Sequence, residues 1–415
     1  MQLLKDENVM QIIRNMLNVL DTRLVNHGER VAFLCYSLMK AMNYDEEAIF
    51  LGTKLALLHD IGAFKTDEID NMLSFEEQDV SDHAIYGYLF IKNLSPLKKY
   101  ADCVLYHHYR YDELMKVSCS RPDIAILIHL CDRIDVMMQH GIIKEDTMKA
   151  QIGTGRFIDK HIQVFLTENK AQHLMESLSD LSYLDTMNTL FQNLRFSVME
   201  KHDYLQMIAY SIDFKSQYTV LHTIMTTSLA VEMGKIMHLK RADLVKLYYG
   251  ALLHDIGKAF IPISILEKPC ALDENEMNIM RTHVLVSEQI LQNLIPDDVL
   301  QIAIRHHEKL DGSGYPYKLT EKDLTACEKI VAVADILSAL LGRRSYKEEM
   351  SVPLTINIIK KMAKEGKLSK GIVDVFDVHH EKIIKNVQKN SKNLKYMYQN
   401  MQKDYSVLKV TLNNV

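Results

Sequence analysis

Seven side chains in the second half of the chain could carry chemistry: His222, His254, Asp255, His283, His306, His307 and Asp335. Imidazoles and carboxylates are nitrogen and hard-oxygen donors of the kind that hold divalent iron, manganese or zinc, and a carboxylate such as Asp255 can bridge two ions. A His-Asp dipeptide alone is a weak signal. The first half, however, repeats the whole set in the same order, as His27, His59, Asp60, His83, His107, His108 and Asp132. In both halves the first histidine stands 32 positions before the His-Asp pair. Two ordered sets with one shared spacing indicate an internal repeat, and with it two domains.

Helices must position these side chains. Residues 21–42 carry His27 with Val31, Leu34, Leu38 and Met42 near helical spacing, and residues 45–58 deliver His59-Asp60 to a helix end, where Gly62 can release the chain. Ser74 and Glu77 have capping-box spacing before a helix from His83 to Leu94, and a short helix carries Val104, Leu105, His107 and His108. Asp132 lies within the apolar residues 124–138, where an ionised carboxylate needs a partner, either a metal or the adjacent Arg133. In the second half residues 218–237 carry His222, Asp243 caps the helix that leads to His254, and Asp273 with Glu276 forms a capping box before His283. A short helix from Asp297 reaches His306-His307, and Thr325 with Glu328 caps the helix that holds Asp335. The fold class is therefore all-α with two tandem helical domains, at residues 1–167 and 206–388. Residues 168–205 read as a helical linker, and 389–415 as a tail that is a helix, a packing arm or a frayed end.

With 415 residues, 47% hydrophobic and 25% charged, the chain can fill two cores and is not disordered. A formal charge of -5 gives no global attraction to polymeric nucleic acid but leaves room for a local basic pocket. The six cysteines form no Cys-x-x-Cys pair and read as buried thiols in a reducing cytoplasm. No signal-peptide core and no apolar run of about 20 residues is present, so neither secretion nor a membrane span is expected.

Directly after His306-His307 comes Glu308-Lys309-Leu310-Asp311-Gly312-Ser313-Gly314-Tyr315-Pro316, a loop whose glycines permit a tight path and whose proline stiffens its exit. Attached to two candidate ligands, it reads as a substrate rim. The basic run Arg343-Arg344-Ser345-Tyr346-Lys347 is either a solvated helix exit or a contact for phosphate oxygens.

With these motifs in place, residues 215–385 resemble the HD-GYP branch of the HD superfamily. The match rests on His222, Leu253-His254-Asp255-Ile256-Gly257-Lys258, Pro262, Leu266, Lys268-Pro269, His283, His306-His307-Glu308, Asp311-Gly312-Ser313-Gly314-Tyr315-Pro316 and Val333-Ala334-Asp335 with Arg344 and Tyr346-Lys347. The resemblance implies tandem HD-type helical domains and a metal-dependent phosphodiesterase. Its substrate would be a 3',5'-cyclic dinucleotide, c-di-GMP or 3',3'-cGAMP, opened to a linear dinucleotide and then to mononucleotides. It also implies one ion on His222, His254, Asp255 and Asp335 and a second on Asp255, His283, His306 and His307, with iron or manganese favoured. Lys258 would join Asp255 in catalysis and touch the scissile phosphate, and Asp311, Gly314, Tyr315, Pro316, Arg344 and Lys347 would contact substrate.

Two departures matter. Some relatives with a third metal carry a glutamate where this chain has Tyr218, which favours two ions, and Ser338 stands where the family often has aspartate, which leaves substrate contacts there open. The first half resembles a drifted HD domain in which Ala63 replaces Lys258 and no Gly-Tyr-Pro loop follows His107-His108. Its seven donors could hold additional metals in a regulatory or scaffolding unit, serve a second hydrolase, or remain metal-free. A noncatalytic cyclic-dinucleotide sensor and a phosphohydrolase for another nucleotide are the competing functions, and a homodimer stays open.

Overall fold

The computed structural model describes residues 4–18, 25–64, 81–214, 220–342 and 350–412. Ser74, Glu77, Tyr218, Arg344 and Lys347 lie outside them. The described elements are helices, and among the described residues the only extended pairing is one antiparallel bridge between Asp311 and Thr320. The chain divides into two compact units, one formed by Val9–Met207 with Met401–Val415 and the other by Met1–Asn8 with Ile208–Asn400.

In the first of these, the helix His27–Ala41 packs against Glu46–Leu58 and Pro122–Gln139. Asp45 starts the second helix by accepting a hydrogen bond from the Ala48 amide at 2.8 Å. Pro122 opens the third at a position where a missing N–H costs nothing. That third helix is buried on every side from Ile124 to Met137, which makes it the axis of the unit. Residues 168–205, read from sequence as a linker, lie within this unit. The helix Tyr183–Asn193 buries Tyr183, Met187, Leu190 and Phe191, and the Tyr183 ring lies 5.6 Å from that of Phe33 on the His27 helix.

The second unit repeats the arrangement. The helix Val220–Ile236 packs on Arg241–Leu253 and on Ala326–Leu341, around a core that includes Leu229, Met233, Leu247, Ile302, Val333 and Phe376. Asp243 does not cap its helix. The helix starts at Arg241 with Lys240 at the cap position, so Asp243 sits in the first turn, where its charge suits the positive end of the helix. The two capping boxes expected from sequence are present: Asp273 accepts from the Glu276 amide at 2.9 Å, Thr325 from the Glu328 amide at 3.4 Å, and each glutamate bonds back. The tail after residue 388 continues the 43-residue helix Lys370–Leu412. No described helix is long and apolar enough to cross a membrane.

One close approach is shared by both units. A Cβ on Gly62 would lie 1.9 Å from the His83 carbonyl oxygen, and a Cβ on Gly257 would lie 1.9 Å from that of His283. The turn after each His-Asp pair is thus pressed onto the backbone of the next ligand-bearing helix. Only glycine fits there.

Candidate metal centres

In the second unit, His254 and Asp255 emerge where Arg241–Leu253 ends, His283 comes from the middle of Glu274–Leu291, His306 follows Asp297–Ile304, and Asp335 lies within Ala326–Leu341. All are buried, as is His222. The helical backbone fixes the ring orientation. Nδ1 of His254, His283 and His306 donates to the carbonyl three residues earlier, on Ala251, Met280 and Ala303, at 2.7, 2.7 and 2.6 Å. His222 Nδ1 donates instead to Ser338 Oγ at 2.7 Å, and that hydroxyl donates to the Asp335 carbonyl at 2.9 Å. With Nδ1 carrying the proton, Nε2 keeps its lone pair and faces the centre.

Asp255 stands between two groups of these rings. Its Oδ2 is 3.3 Å from His222 Nε2 and 3.1 Å from His254 Nε2, while Oδ1 is 3.4 Å from His283 Nε2 and 3.8 Å from His306 Nε2. Asp335 places Oδ1 3.1 Å from His222 Nε2 and Oδ2 3.5 Å from His307 Nδ1. Lys258 reaches Asp255 Oδ2 at 2.5 Å.

The charges follow from these surroundings. Burial works against ionisation of Asp255, but His254, Lys258 and His222 outweigh it and hold the carboxyl well below the usual range. Burial pushes His283 down to about 4 and His306 to about 3, so both are neutral at pH 7.

The loop that follows is pinned by Glu308, whose buried carboxylate accepts from the amides of Tyr317 and Leu319 at 2.7 and 2.9 Å. Gly314 is required because a Cβ there would come 2.4 Å from the Lys309 nitrogen. The Tyr315 ring then lies 4.7 Å from that of His307, with the Arg281 guanidinium 5.6 Å from it on the helix before His283. Asp311 is exposed and spends its Oδ1 on the Ser313 amide and hydroxyl, at 3.0 and 2.6 Å.

The first unit builds the same centre nearly atom for atom. Asp60 Oδ2 is 3.4 Å from His27 Nε2 and 3.3 Å from His59 Nε2, and Oδ1 is 3.6 Å from His83 Nε2 and 3.8 Å from His107 Nε2. His59 and His107 donate Nδ1 to the carbonyls of Ala56 and Val104. Three features differ. Ala63 replaces the lysine, Arg133 places two N–H groups on Asp132 Oδ2 at 3.1 and 2.7 Å, and Asp135 binds both His27 Nδ1 at 2.7 Å and Arg30. Burial works against a charged His27, but Asp132, Asp135 and Asp60 overcome it and raise its pKa well above the ordinary value.

Both donor sets fit divalent cations. Within the second unit His254 and His222 face each other through Nε2 at 3.4 Å, and His283 and His306 at 3.3 Å; in the first, His83 and His107 do so at 3.4 Å. Lone pairs so directed repel unless a cation lies between them. Buried acceptors left without a hydrogen-bond partner point the same way: His59 Nε2, Asp60 Oδ1 and Asp255 Oδ1.

Sequence reasoning missed the residues that hold the ligands in place. Ser338 was read as an uncertain substrate position, whereas it orients His222; Asp135, three residues after Asp132, was the available clue. Ser287 accepts from the Gly257 amide at 2.9 Å and donates to the His254 carbonyl at 3.2 Å, tying two ligand segments together. Asp213 ends the helix Val198–Asp213, where no motif marks it. Burial pushes its pKa up to about 8, against a hydrogen bond from Thr223 and with Asp255 adding to the effect.

Comparison with known proteins places this geometry in a family. A family model described as HD domain matches residues 204–370, and a second HD-domain model matches residues 24–137. Over 372 residues the chain is 30% identical to 3'3'-cGAMP-specific phosphodiesterase 1 of Vibrio cholerae, covering 85% of this chain and 86% of that protein. It is 30% identical over 265 residues to a cyclic di-GMP phosphodiesterase of Thermotoga maritima, covering 58% of this chain and 69% of the relative. With the response regulator RpfG of Xanthomonas campestris it shares 34% identity over 167 residues, 40% of this chain and 44% of that one. A solved structure of a cyclic GMP-AMP specific phosphodiesterase from V. cholerae, V-cGAP3, superposes with a TM-score of 0.58 at 17% identity, covering 91% of this chain and 97% of the other; that likeness concerns the fold. Two HD domains in tandem, built around duplicated histidine and aspartate centres, make this chain a member of the HD-GYP family of the HD phosphohydrolase superfamily.

Proposed function

We propose that the second unit hydrolyses a 3',5'-cyclic dinucleotide, c-di-GMP or 3',3'-cGAMP, to the linear dinucleotide. The observation that carries this reading is Asp255, which turns one oxygen to His222 and His254 and the other to His283 and His306. Relatives named as phosphodiesterases for each of the two substrates support the substrate class.

His222, His254, Asp255 and Asp335 would hold one divalent ion, and Asp255, His283, His306 and His307 the other, with iron or manganese favoured by the family resemblance and zinc compatible with the same donors. When bound, such ions supply Lewis acidity to a phosphodiester and activate water for in-line attack. The chain's own residues do the rest. Lys258 swings from Asp255 to a phosphoryl oxygen and neutralises charge that develops there. Tyr315, backed by His307 and flanked by Arg281, offers an aromatic face and a cation at the rim, suited to a base and its phosphate. Ser338, Ser287 and the backbone carbonyls keep the rings from turning as substrate enters. The first unit, with Ala63 in place of the lysine and Arg133 on Asp132, holds metal as a regulatory or scaffolding element.

The test is a time course with metal-loaded wild type, Asp255→Ala and Asp60→Ala, following both substrates and resolving linear from mononucleotide products. We expect Asp255→Ala to lose at least about a thousandfold in rate and Asp60→Ala to keep most of it. Absence of turnover by well-folded, metal-loaded wild type would replace hydrolysis with sensing.

A further inference from the structure

Away from both centres, the first unit gathers three side chains that neither metal site uses. Asp102 and Cys103 lie in the short helix Asp102–Leu105, and Cys119 lies in the loop before Pro122–Gln139. Their ligand atoms, one carboxylate oxygen and two sulfurs, all fall within 4.8 Å of one another. A metal is the first possibility to weigh. Asp102 argues against it, because Oδ2 already accepts from the Ser120 amide at 2.7 Å and Oδ1 from the Ser120 hydroxyl, so its carboxylate is engaged in holding the loop. The pair is better suited to chemistry between the sulfurs.

The two thiols differ in access. Cys103 is fully buried, with its sulfur 3.8 Å from Ser120 Oγ and 3.6 Å from the Arg121 carbonyl, whereas Cys119 is partly exposed in a loop. Cys35 lies beside Cys131 and helps push that thiol up, but both are buried in the packed helices His27–Ala41 and Pro122–Gln139, so they form an internal control without access. The neighbouring Cys103 thiol draws the Cys119 thiol below its ordinary pKa, against its burial, which favours the nucleophilic thiolate on the accessible side.

We propose that Cys119 and Cys103 form a peroxide-reactive dithiol, with Cys119 as the attacking sulfur and Cys103 as the resolving one. The Cys119 thiolate attacks one oxygen of a hydroperoxide; an S–O bond forms, the O–O bond breaks, and the departing oxygen takes a proton to leave as water or alcohol. The Cys103 sulfur then attacks the sulfenic sulfur; an S–S bond forms, the S–O bond breaks, and hydroxide leaves with the Cys103 proton as water. Two thiols are oxidised by two electrons and the peroxide is reduced by two. The resulting bridge ties the turn that delivers His107 and His108 to the loop that leads into the Asp132 helix.

The experiment uses the full-length reduced protein, treated with hydrogen peroxide under native conditions, quenched with an alkylating reagent and mapped by peptide sequencing in a mass spectrometer. The expected product is a Cys103–Cys119 cross-link that lacks two hydrogens and is reversed by dithiothreitol, with Cys35 and Cys131 recovered as thiols after unfolding. Cys103→Ser should stop the reaction at a Cys119 sulfenic acid that a dimedone probe captures, and Cys119→Ser should leave Cys103 unreacted. Recovery of Cys119 as a free thiol, its oxidation in wild type without a link to Cys103, or linkage of Cys35 to Cys131 instead would each overturn the proposal.

Discussion

At the scale of single residues, Ser338 decides how firmly His222 is held. Its hydroxyl accepts from His222 Nδ1 and contacts Thr226 Oγ1 at 2.6 Å, so Ser338→Ala frees the ring and removes the partner that fixes its tautomer. We expect a loss of about 10–100-fold in metal affinity, read by competition with a chelating dye, and recovery with Ser338→Asp, which restores the carboxylate that Asp135 supplies to His27. Equal affinity in wild type and Ser338→Ala would show that backbone packing alone sets the ring. A second expectation concerns acid. In chelator-treated protein His283 and His306 have pKa values lowered to about 4 and about 3 against an ordinary 6.5. Below pH 6.5 the unfolded chain takes up protons that the folded centre refuses, so stability that is whole above that pH declines as pH falls toward 4. Each ring accounts for about 1 kcal/mol at pH 5.5. His27 acts in the opposite sense, but its window lies above pH 6.5. The thermal midpoint of the chelated protein should therefore drop steadily from pH 6.5 to 5, and a flat profile would contradict the burial of these rings. The clustered histidines and aspartates were legible in the sequence because metal chemistry would need particular atoms at particular places. Their supports were not, because a serine that accepts one hydrogen bond has no spacing rule of its own.

At the scale of elements, two helix starts of the second unit were legible from the side chains that close their first turns. Asp273 with Glu276 and Thr325 with Glu328 form their boxes as the spacing requires. Removing the first of these tests how far a helix end matters to the centre it serves. Asp273→Ala should cost about 1 kcal/mol and lower the melting midpoint by about 2–4 °C, while metal content stays unchanged, since His283 sits more than two turns further along and is held by packing. Loss of metal in that variant would mean that fraying reaches the ligand. The helix over residues 241–253 shows where the rule fails. Asp243 has the right chemistry for a cap, but the chain is already helical two residues earlier, and tertiary packing of Leu247 and Ala251 sets the start. The place of segment 168–205 is hidden in the sequence for a similar reason. Its buried Tyr183, Met187 and Phe191 are spaced like any amphipathic helix, and only contact with the His27 helix shows which core they complete.

At the scale of the whole molecule, duplication was the most legible property, since two ordered ligand sets stand in one chain. Their divergence was legible too, in Ala63 and in the missing Gly-Tyr-Pro loop. What the sequence could not display is that the two centres differ in protonation. In the second unit the imidazoles of His283, His306 and His307 are pressed toward neutrality, and Asp255 is held ionised. An ion arriving at those three rings displaces no proton from them at neutral pH. In the first unit His27 is held as an imidazolium by three aspartates, so an ion that binds its Nε2 must expel one. Metal uptake at the two places therefore carries different heats. Titration calorimetry in buffers of low and high ionisation enthalpy should give Asp60→Ala heats that depend less on the buffer than those of Asp255→Ala, making a duplicated cluster distinguishable by the protons it gives back to solvent.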